Sequence, residues 1–496
     1  MKKSLFVSVI FLMLQFSPLF GENAPKREFR GAWYPTVVNR TWKDMTTEQI
    51  KNDIIFNLDL FKSLNINAVI FQVRPQADAL FVSGLEPWSR FITGTQGKAP
   101  EPFFDPTQFV LEECHKRGME MHAWFNPYRV TSNSNEVLSK DHIYFKKPEL
   151  FVHYGNQIYF DPGHPGSREH TITVISDFVK RYDIDAVHFD DYFYPYRVPY
   201  LDFPDQHTFE EFREIDGFDI FDKDNWRRNN VNILVKQLND TIKKIKPWVK
   251  FGISPFGVWR NDYIDPNGSN SRALQTNYDD LFADVLLWTK KGWIDYNAPQ
   301  LYWEIGHLRA DYLSLINWWA SNNYDVNLYI GQSIWSQLEI RNRNGDVVNQ
   351  LHRKMRLARD NDMVHGNIWW SGLGFANQSA LCDSLRQNYQ RYPSLVPLYP
   401  HIDTLPPKAV TNLKFHRKGI ITWDSPVEED PMSQHHFFCI YLFDKDEEVD
   451  ITDVSKIIAV TGENSYSVKR KRGGKLVVTA LDKLQNESSP KVVIMR

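Results

Sequence analysis

From about residue 28 to residue 390, short apolar β-prone runs alternate with amphipathic helical stretches, eight times over. A parallel strand needs a crossover, usually a helix, to bring the chain back, so this rhythm signals parallel β/α architecture. The strand candidates are Phe29–Thr36, Ala68–Arg74, Glu120–Phe125, Ala186–Asp190, Lys250–Ser254, Tyr296–Tyr302, Asn327–Gln332 and Gly366–Trp370. Helical patterns follow each, over Thr47–Ser63, Pro106–Lys116, Ser167–Tyr182, Asn225–Lys246, Tyr278–Lys290, Ala310–Ser321, Val347–Asp360 and Gln378–Gln390. Eight such units point to a closed (β/α)8 TIM barrel over residues 28–392, where the loops after the strands carry the active site. Three of those loops are long: Arg74–Asp105, Asn126–Gly166 and Tyr192–Asn225.

The pattern breaks at residues 393–407, where Pro393, Pro397, Pro400, Pro406 and Pro407 mark a linker. Residues 408–496 then show about seven short period-two strands and no helix, the rhythm of a small all-β immunoglobulin-like sandwich. Pro406–Leu413, Ile420–Trp423 and Val477–Ser489 resemble a fibronectin type III module. The basic run Lys469–Arg472 before Gly473 and Gly474 reads as a solvated hairpin turn.

A chain of 496 residues has room for both units. Its formal charge of −3 gives no long-range attraction to nucleic acid or acidic membranes. Its 16 Trp, 22 Tyr and 33 Phe exceed what a core of this size needs. Flat apolar rings suit a sugar cleft, because a pyranose presents C–H groups that stack on them. Residues 1–21 read as an export signal peptide: Lys2 and Lys3 precede the apolar Leu5–Leu14 run, then Ser17, Pro18 and Gly21 break it. No later segment reads as transmembrane, so no stable membrane insertion is expected after cleavage. Cys114, Cys382 and Cys439 are too few and too spread for a disulfide framework or a zinc cluster. Export with few cysteines suits the periplasm or cell surface of a Gram-negative bacterium.

The chemistry concentrates in AVHFDDYFYP, Ala186–Pro195. It ends a strand in two adjacent acids, Asp190 and Asp191, followed by aromatics. Adjacent strand residues point to opposite faces, so one acid is expected to face the barrel axis while the other braces the loop. The bland alternative is a loop cap or a pair with Arg197. Glycoside hydrolysis needs a second carboxyl. The candidate is Glu304 in APQLYWEIG, which shares the inward parity of Gln300 and Tyr302, with Trp303 beside it to desolvate it. A loop salt bridge with Arg309 or His307 is the competing role. Other strand ends offer sugar-binding groups: Trp33, Gln72, Arg74, His122, Trp124, Asn126, Arg129, His188, Tyr192, Trp259, Arg260, Gln332, Trp369 and Trp370. Each could equally be a satisfied core or loop group.

His153, Asp161 and His164, with His188 and Asp190 further on, match no common zinc spacing. No metal or cofactor is expected, and no phosphate loop, dinucleotide fingerprint or nucleophilic serine elbow is present.

EFRGAWYPTVVNRTW, NAVIFQVRPQADALF, HAWFNPYRV and AVHFDDYFYP together resemble the glycosyl-hydrolase-like family ten, a group of bacterial envelope proteins, over roughly Glu28 to Gln390. The resemblance implies a (β/α)8 barrel related to clans that contain α-galactosidases and amylases. It implies a nucleophile after strand four, Asp190 or Asp191, and an acid after strand five or six, which supports Glu304. Peptidoglycan glycan strands are the implied first substrate. Many members are lipoproteins; this chain lacks the lipid-acceptor cysteine. The expectation is an exported glycoside hydrolase acting on an envelope glycan or another polysaccharide. The alternatives are a non-catalytic glycan-binding barrel and a metal-dependent polysaccharide deacetylase.

Overall fold

A computed structural model describes residues 24–37, 41–341, 346–468 and 473–495. The leader expected over residues 1–21 and the turn expected over 469–472 lie outside the described residues. Eight parallel strands close into one barrel in chain order. They are β1 (Phe29–Tyr34), β2 (Ala68–Arg74), β3 (Glu120–Phe125), β4 (Ala186–Phe189), β5 (Lys250–Ile253), β6 (Tyr296–Asn297), β7 (Asn327–Ser333) and β8 (Val364–Trp370). β1 pairs with both β2 and β8, which removes any free edge. Four strands end earlier than their apolar runs imply: β1 stops at Tyr34, β5 at Ile253, and the other two bear on the site. β4 stops at Phe189, and beyond Asn297 β6 keeps only isolated bridges at Gln300.

The helices start where capping chemistry dictates. Thr46 accepts from the Gln49 amide and Gln49 reaches back, a reciprocal capping box that opens α1 (Thr47–Ser63). Asp105 caps α2 (Pro106–Lys116), with Pro106 in the first turn. α3 (Pro165–Arg181) and α4 (Lys223–Ile245) cover the next strands. The single helix expected over Tyr278–Lys290 is instead two short ones, Asn277–Asp280 and Val285–Lys290. Phe282, at φ 51°, breaks the right-handed ladder, and Asp284 recaps the chain at Leu287.

Two hydrophobic layers hold the barrel. One lies between strands and helices; the other fills the interior, where Phe29 stacks on Tyr329 at 4.0 Å. Ala68, Ala186 and Ala298 leave room inside for Trp33, Trp124 and Tyr296.

The C-terminal strands form two antiparallel sheets, of three and four strands. β9 (Thr411–His416), β10 (Ile420–Asp424) and β13 (Ser465–Ser467) make the first. β11 (His435–Phe443), β12 (Ile457–Thr461), β14 (Lys475–Asp482) and β15 (Lys491–Ile494) make the second. These sheets dock on the face where the barrel strands begin. Gln485 donates to Glu120 at 3.0 Å, Thr461 to the Lys116 carbonyl at 3.3 Å, and His436 pairs with Asp185 at 2.7 Å. Gly118, at φ +64°, sits so close that an added Cβ would meet the Val460 backbone at 2.5 Å. The proline-rich segment is pinned along this face: Leu395, Val396 and Tyr399 are buried, and the Tyr399 and Tyr329 hydroxyls meet at 2.5 Å.

Candidate active site

The strands' C-terminal ends open on a cavity of about 330 Å³. Asp190 and Asp191 both line it. The expectation that the two acids point to opposite faces is corrected: β4 ends at Phe189, so both residues lie in the loop and strand alternation does not reach them.

The two carboxyls are held from different sides. Asp190 accepts from Trp124 Nε1 at 3.1 Å and Asn126 Nδ2 at 3.2 Å, both on or just past β3, and from the Tyr192 amide at 3.3 Å. Asp191 accepts from Gln300 Nε2 at 3.2 Å, beyond β6, and from the Tyr196 hydroxyl. Burial raises the Asp190 pKa, with Arg129, Asn126 and Trp124 pulling back. Asp191 is pushed up to about 6, by burial first and the charge of Asp190 second. Both acids are braced by donors and both are raised by burial, and the charge of Asp190 adds to the rise at Asp191, so the pair favours a proton on Asp191 beside a charged Asp190.

The walls are aromatic. Trp33 meets Trp370 at 6.1 Å and Tyr302 at 6.4 Å, and Trp124 meets Trp370 at 6.0 Å. Trp303 and Phe256 extend the wall, with ring centroids 5.4 Å apart. Burial, and then the two aspartates, hold the Tyr302 phenol protonated. Arg129 lies over the Tyr192 ring at 5.0 Å and bonds the Pro75 carbonyl at 2.9 Å.

Of the residues singled out in sequence, Trp33, Trp124, Arg129, Asp190, Asp191, Tyr192, Gln300, Tyr302, Trp303 and Trp370 line the cavity. His188 lies beneath it, bonded to Tyr296, Ser254 and Trp33 and fully buried; burial and the nearby His122 hold its pKa well below the usual value. Asn126 acts through Asp190 and through the Arg129 amide, which it accepts at 2.8 Å.

The remaining candidates are structural. Gln72 accepts from the Thr36 and Val37 amides. Arg74 is buried against Glu86, Nε to Oε2 at 2.8 Å. His122 sits deep in the barrel between Tyr296 and Glu120. Gln332 bonds Tyr312 and Asn367. Trp369 packs outward on Phe375. Trp259 stacks on Trp318, and Arg260 pairs with Asp279 and Asp265. Each is drawn from the cavity by a partner that sequence spacing does not reveal.

Glu304 is not among the cavity-lining residues. Chain past Gln300 is irregular, so the strand parity that aimed Glu304 inward does not extend to it. Its charge acts instead on Lys354, whose pKa burial lowers, against the pull of Glu304, to about 8. Lys354 bonds the Trp303 and Ser336 carbonyls, behind the aromatic wall.

Val37, Tyr196, Ser254 and Phe256 line the cavity without having been singled out. Tyr196 directly follows the Ala186–Pro195 stretch, and Ser254 ends the fifth apolar run, so proximity to strand ends was the available signal. Among the described residues, the group of histidines and acids able to converge on a metal is His115, Asp185 and His436, at the opposite face. No helix among the described residues is long and apolar enough to cross a membrane.

The family model of Glycosyl hydrolase-like 10 matches residues 28–345. The chain is 44% identical over 416 residues to Glycosyl hydrolase YngK of Bacillus subtilis (strain 168), covering 81% of this chain and 80% of YngK. It is 39% identical over 324 residues to Glycosyl hydrolase DigH of Escherichia coli (strain K12), covering 61% of this chain and 72% of DigH. Among solved structures, the PgaB (BpsB) glycoside hydrolase domain from Bordetella bronchiseptica aligns at 13% identity and TM-score 0.47, covering 73% of this chain and 99% of that domain. The chain therefore belongs to the glycosyl hydrolase-like 10 family, as a carbohydrate-active barrel of the glycoside hydrolase type.

Proposed function

We propose that the protein hydrolyses O-glycosidic bonds in a bacterial envelope glycan, with peptidoglycan glycan strands as the first candidate. The observation that carries this reading is a pair of carboxyls, Asp190 and Asp191, in one aromatic-walled cavity at the barrel mouth. Asp191 is the proton donor to the leaving oxygen, since its pKa near 6 keeps a proton available in mildly acidic conditions. Asp190 is the charged partner that stabilises the developing positive centre. The rings supply stacking faces for pyranose C–H groups. Glu304, given the acid role by sequence parity, yields it to Asp191 in this reading. Export, with residues 1–21 removed, is part of the proposal and rests on the leader pattern alone.

The test is release of reducing ends from purified peptidoglycan glycans and a polysaccharide panel. Asp190→Asn and Asp191→Asn are each expected to abolish most turnover, and Glu304→Gln to keep it. Full turnover in both aspartate variants sinks the assignment. A glycan-binding barrel without chemistry is the second reading, favoured by the position of Glu304 outside the cavity. It predicts saturable glycan binding and no cleavage product by the unsubstituted protein.

A further inference from the structure

Hydrolysis with a protein nucleophile, or by direct water attack, places the two carboxyls on opposite sides of the bond being broken. The cavity does not offer that arrangement. Asp190 and Asp191 are successive residues of the loop after β4, and they are the carboxyls among the described lining residues. Directly across the closed ring from β4 lie β8 and its neighbour β1. These contribute Trp370 and Trp33 to the lining, and Trp124 and Tyr302 close the box beside them. The face from which a nucleophile would approach the anomeric carbon is thus hydrocarbon and ring edge.

We propose that the attacking group belongs to the substrate: the carbonyl oxygen of a 2-acetamido group on the sugar that is cleaved, oriented by Asp190 while Asp191 serves as acid and base. This rests on the hydrolase reading above and deepens it, because it fixes the substrate class as a 2-acetamido-2-deoxyhexoside. Substrate-assisted hydrolysis is a known departure from the two-carboxylate scheme.

The residues fit the two tasks. Asp190 accepts from Trp124 on one oxygen, from the Tyr192 amide on the other and from Asn126 across both, and because Asn126 is shared between the two oxygens one acceptor position is left for the acetamide N–H. Holding that N–H raises electron density on the amide oxygen and turns it toward C1. The acetamide methyl is apolar and fits the box of Trp33, Trp124, Trp370 and Tyr302. Asp191 is held from the β6 side by Gln300, while the Asp190 carboxyl is held from the β3 side by Trp124 and Asn126, which leaves Asp191 to serve the leaving oxygen.

In the first step the Asp191 proton passes to the glycosidic oxygen, and the C1–O bond breaks with its electron pair going to that oxygen. A lone pair of the amide oxygen forms the new bond to C1. The product is a cyclic oxazolinium ion, its N–H still on the Asp190 carboxylate, and a free alcohol. In the second step water attacks C1 from the vacated side and gives its proton to the Asp191 carboxylate. The C1–O(amide) bond opens, which restores the acetamide and both acids. Two displacements leave the anomeric configuration retained.

The test uses the full chain on oligomers of N-acetylglucosamine and on the same oligomers de-N-acetylated, with product configuration followed by proton NMR. The expected result is retention, with the de-N-acetylated chains cleaved about 10³-fold more slowly or worse, since the internal nucleophile is missing. A thiazoline analogue of the oxazolinium ion should inhibit competitively, and Asp190→Asn should weaken its binding by about 10-fold or more. With a dinitrophenyl leaving group, which needs no proton, Asp191→Asn should recover most of its bond-cleaving step and Asp190→Asn should not. Inversion, or equal cleavage of both oligomers, overturns substrate assistance and leaves the hydrolase reading standing. Cleavage of neither oligomer nor of peptidoglycan glycans, with no thiazoline binding, overturns both.

Discussion

Gln300 donates one amide group to two acceptors, Asp191 Oδ1 at 3.2 Å and the Ser254 carbonyl at 2.9 Å, and so ties the exit of β6 to the acid after β4. The bond favours the charged form of Asp191 and holds its pKa below where burial alone would put it. Gln300→Leu is therefore expected to raise the Asp191 pKa. The alkaline limb of the kcat/KM profile should move to higher pH by about half a unit to one unit. An unmoved limb means that Asp191 is not the group whose protonation governs turnover.

Asp191 itself carries opposite consequences for activity and stability. Its folded pKa is about 6, above the ordinary value of 3.8, so the charged form is the costly one in the fold. Its contribution to stability is fully present below pH ~4 and lost as pH rises through about 6. Asp191→Asn should cut turnover of natural glycans by about 10²–10⁴-fold. It should also stabilise the protein above pH 6 by about 1–3 kcal/mol, a gain that fades near pH 4. Paired urea titrations at pH 8 and pH 4.5 measure this. The reverse ordering would show that the Tyr196 and Gln300 bonds outweigh desolvation.

The barrel was legible in the sequence because its strands are continuous apolar runs buried on both faces, and because amphipathic helical stretches separate them at a regular rhythm. The aspartate pair was legible as chemistry, but its geometry was not. Whether β4 ends at Phe189 or Asp190 decides if alternation separates the two acids, and one residue is finer than pattern reading resolves. The same limit misplaced Glu304, where parity was extended past the two residues of regular pairing in β6. Arg74 and Gln332 were misread for another reason: their partners, Glu86 and Asn367, are chosen by tertiary packing.

Arg74 and Glu86 form a fully buried pair, with His170 at 3.0 Å from the same carboxylate. Burial alone would raise the Glu86 pKa; Arg74 and His170 outweigh it and hold the pKa at about 2. Its stabilisation is present above the ordinary value of 4.5 and is lost as pH falls toward 2. Arg74→Met should cost about 3–5 kcal/mol by stranding a buried charge. Denaturant unfolding at pH 7 checks it. A direct loss of glycan affinity without destabilisation would return Arg74 to the substrate.

Asp185 joins the barrel to the C-terminal sheets: His115 Nε2 lies 2.9 Å and His436 Nε2 2.7 Å from its oxygens, and the Met121 amide donates at 2.7 Å. Burial opposes its charge, yet the two histidines hold its pKa well below the usual range. Asp185→Asn should lower the thermal midpoint and speed amide exchange in β11 and across residues 393–407. Turnover at saturating glycan should change less than about 3-fold, since the contact lies on the face away from the cavity. Unchanged exchange would show that the docking rests on its apolar contacts alone.

The sheets and the pinned proline-rich segment stopper the barrel where its strands begin, as Gln485 on Glu120 and Tyr399 on Tyr329 show. With the interior already filled by packed side chains such as Phe29 on Tyr329, the cavity at the strands' C-terminal ends has a single doorway. The C-terminal sheets lie at the antipode of that doorway, so the length of the barrel separates them from the cavity.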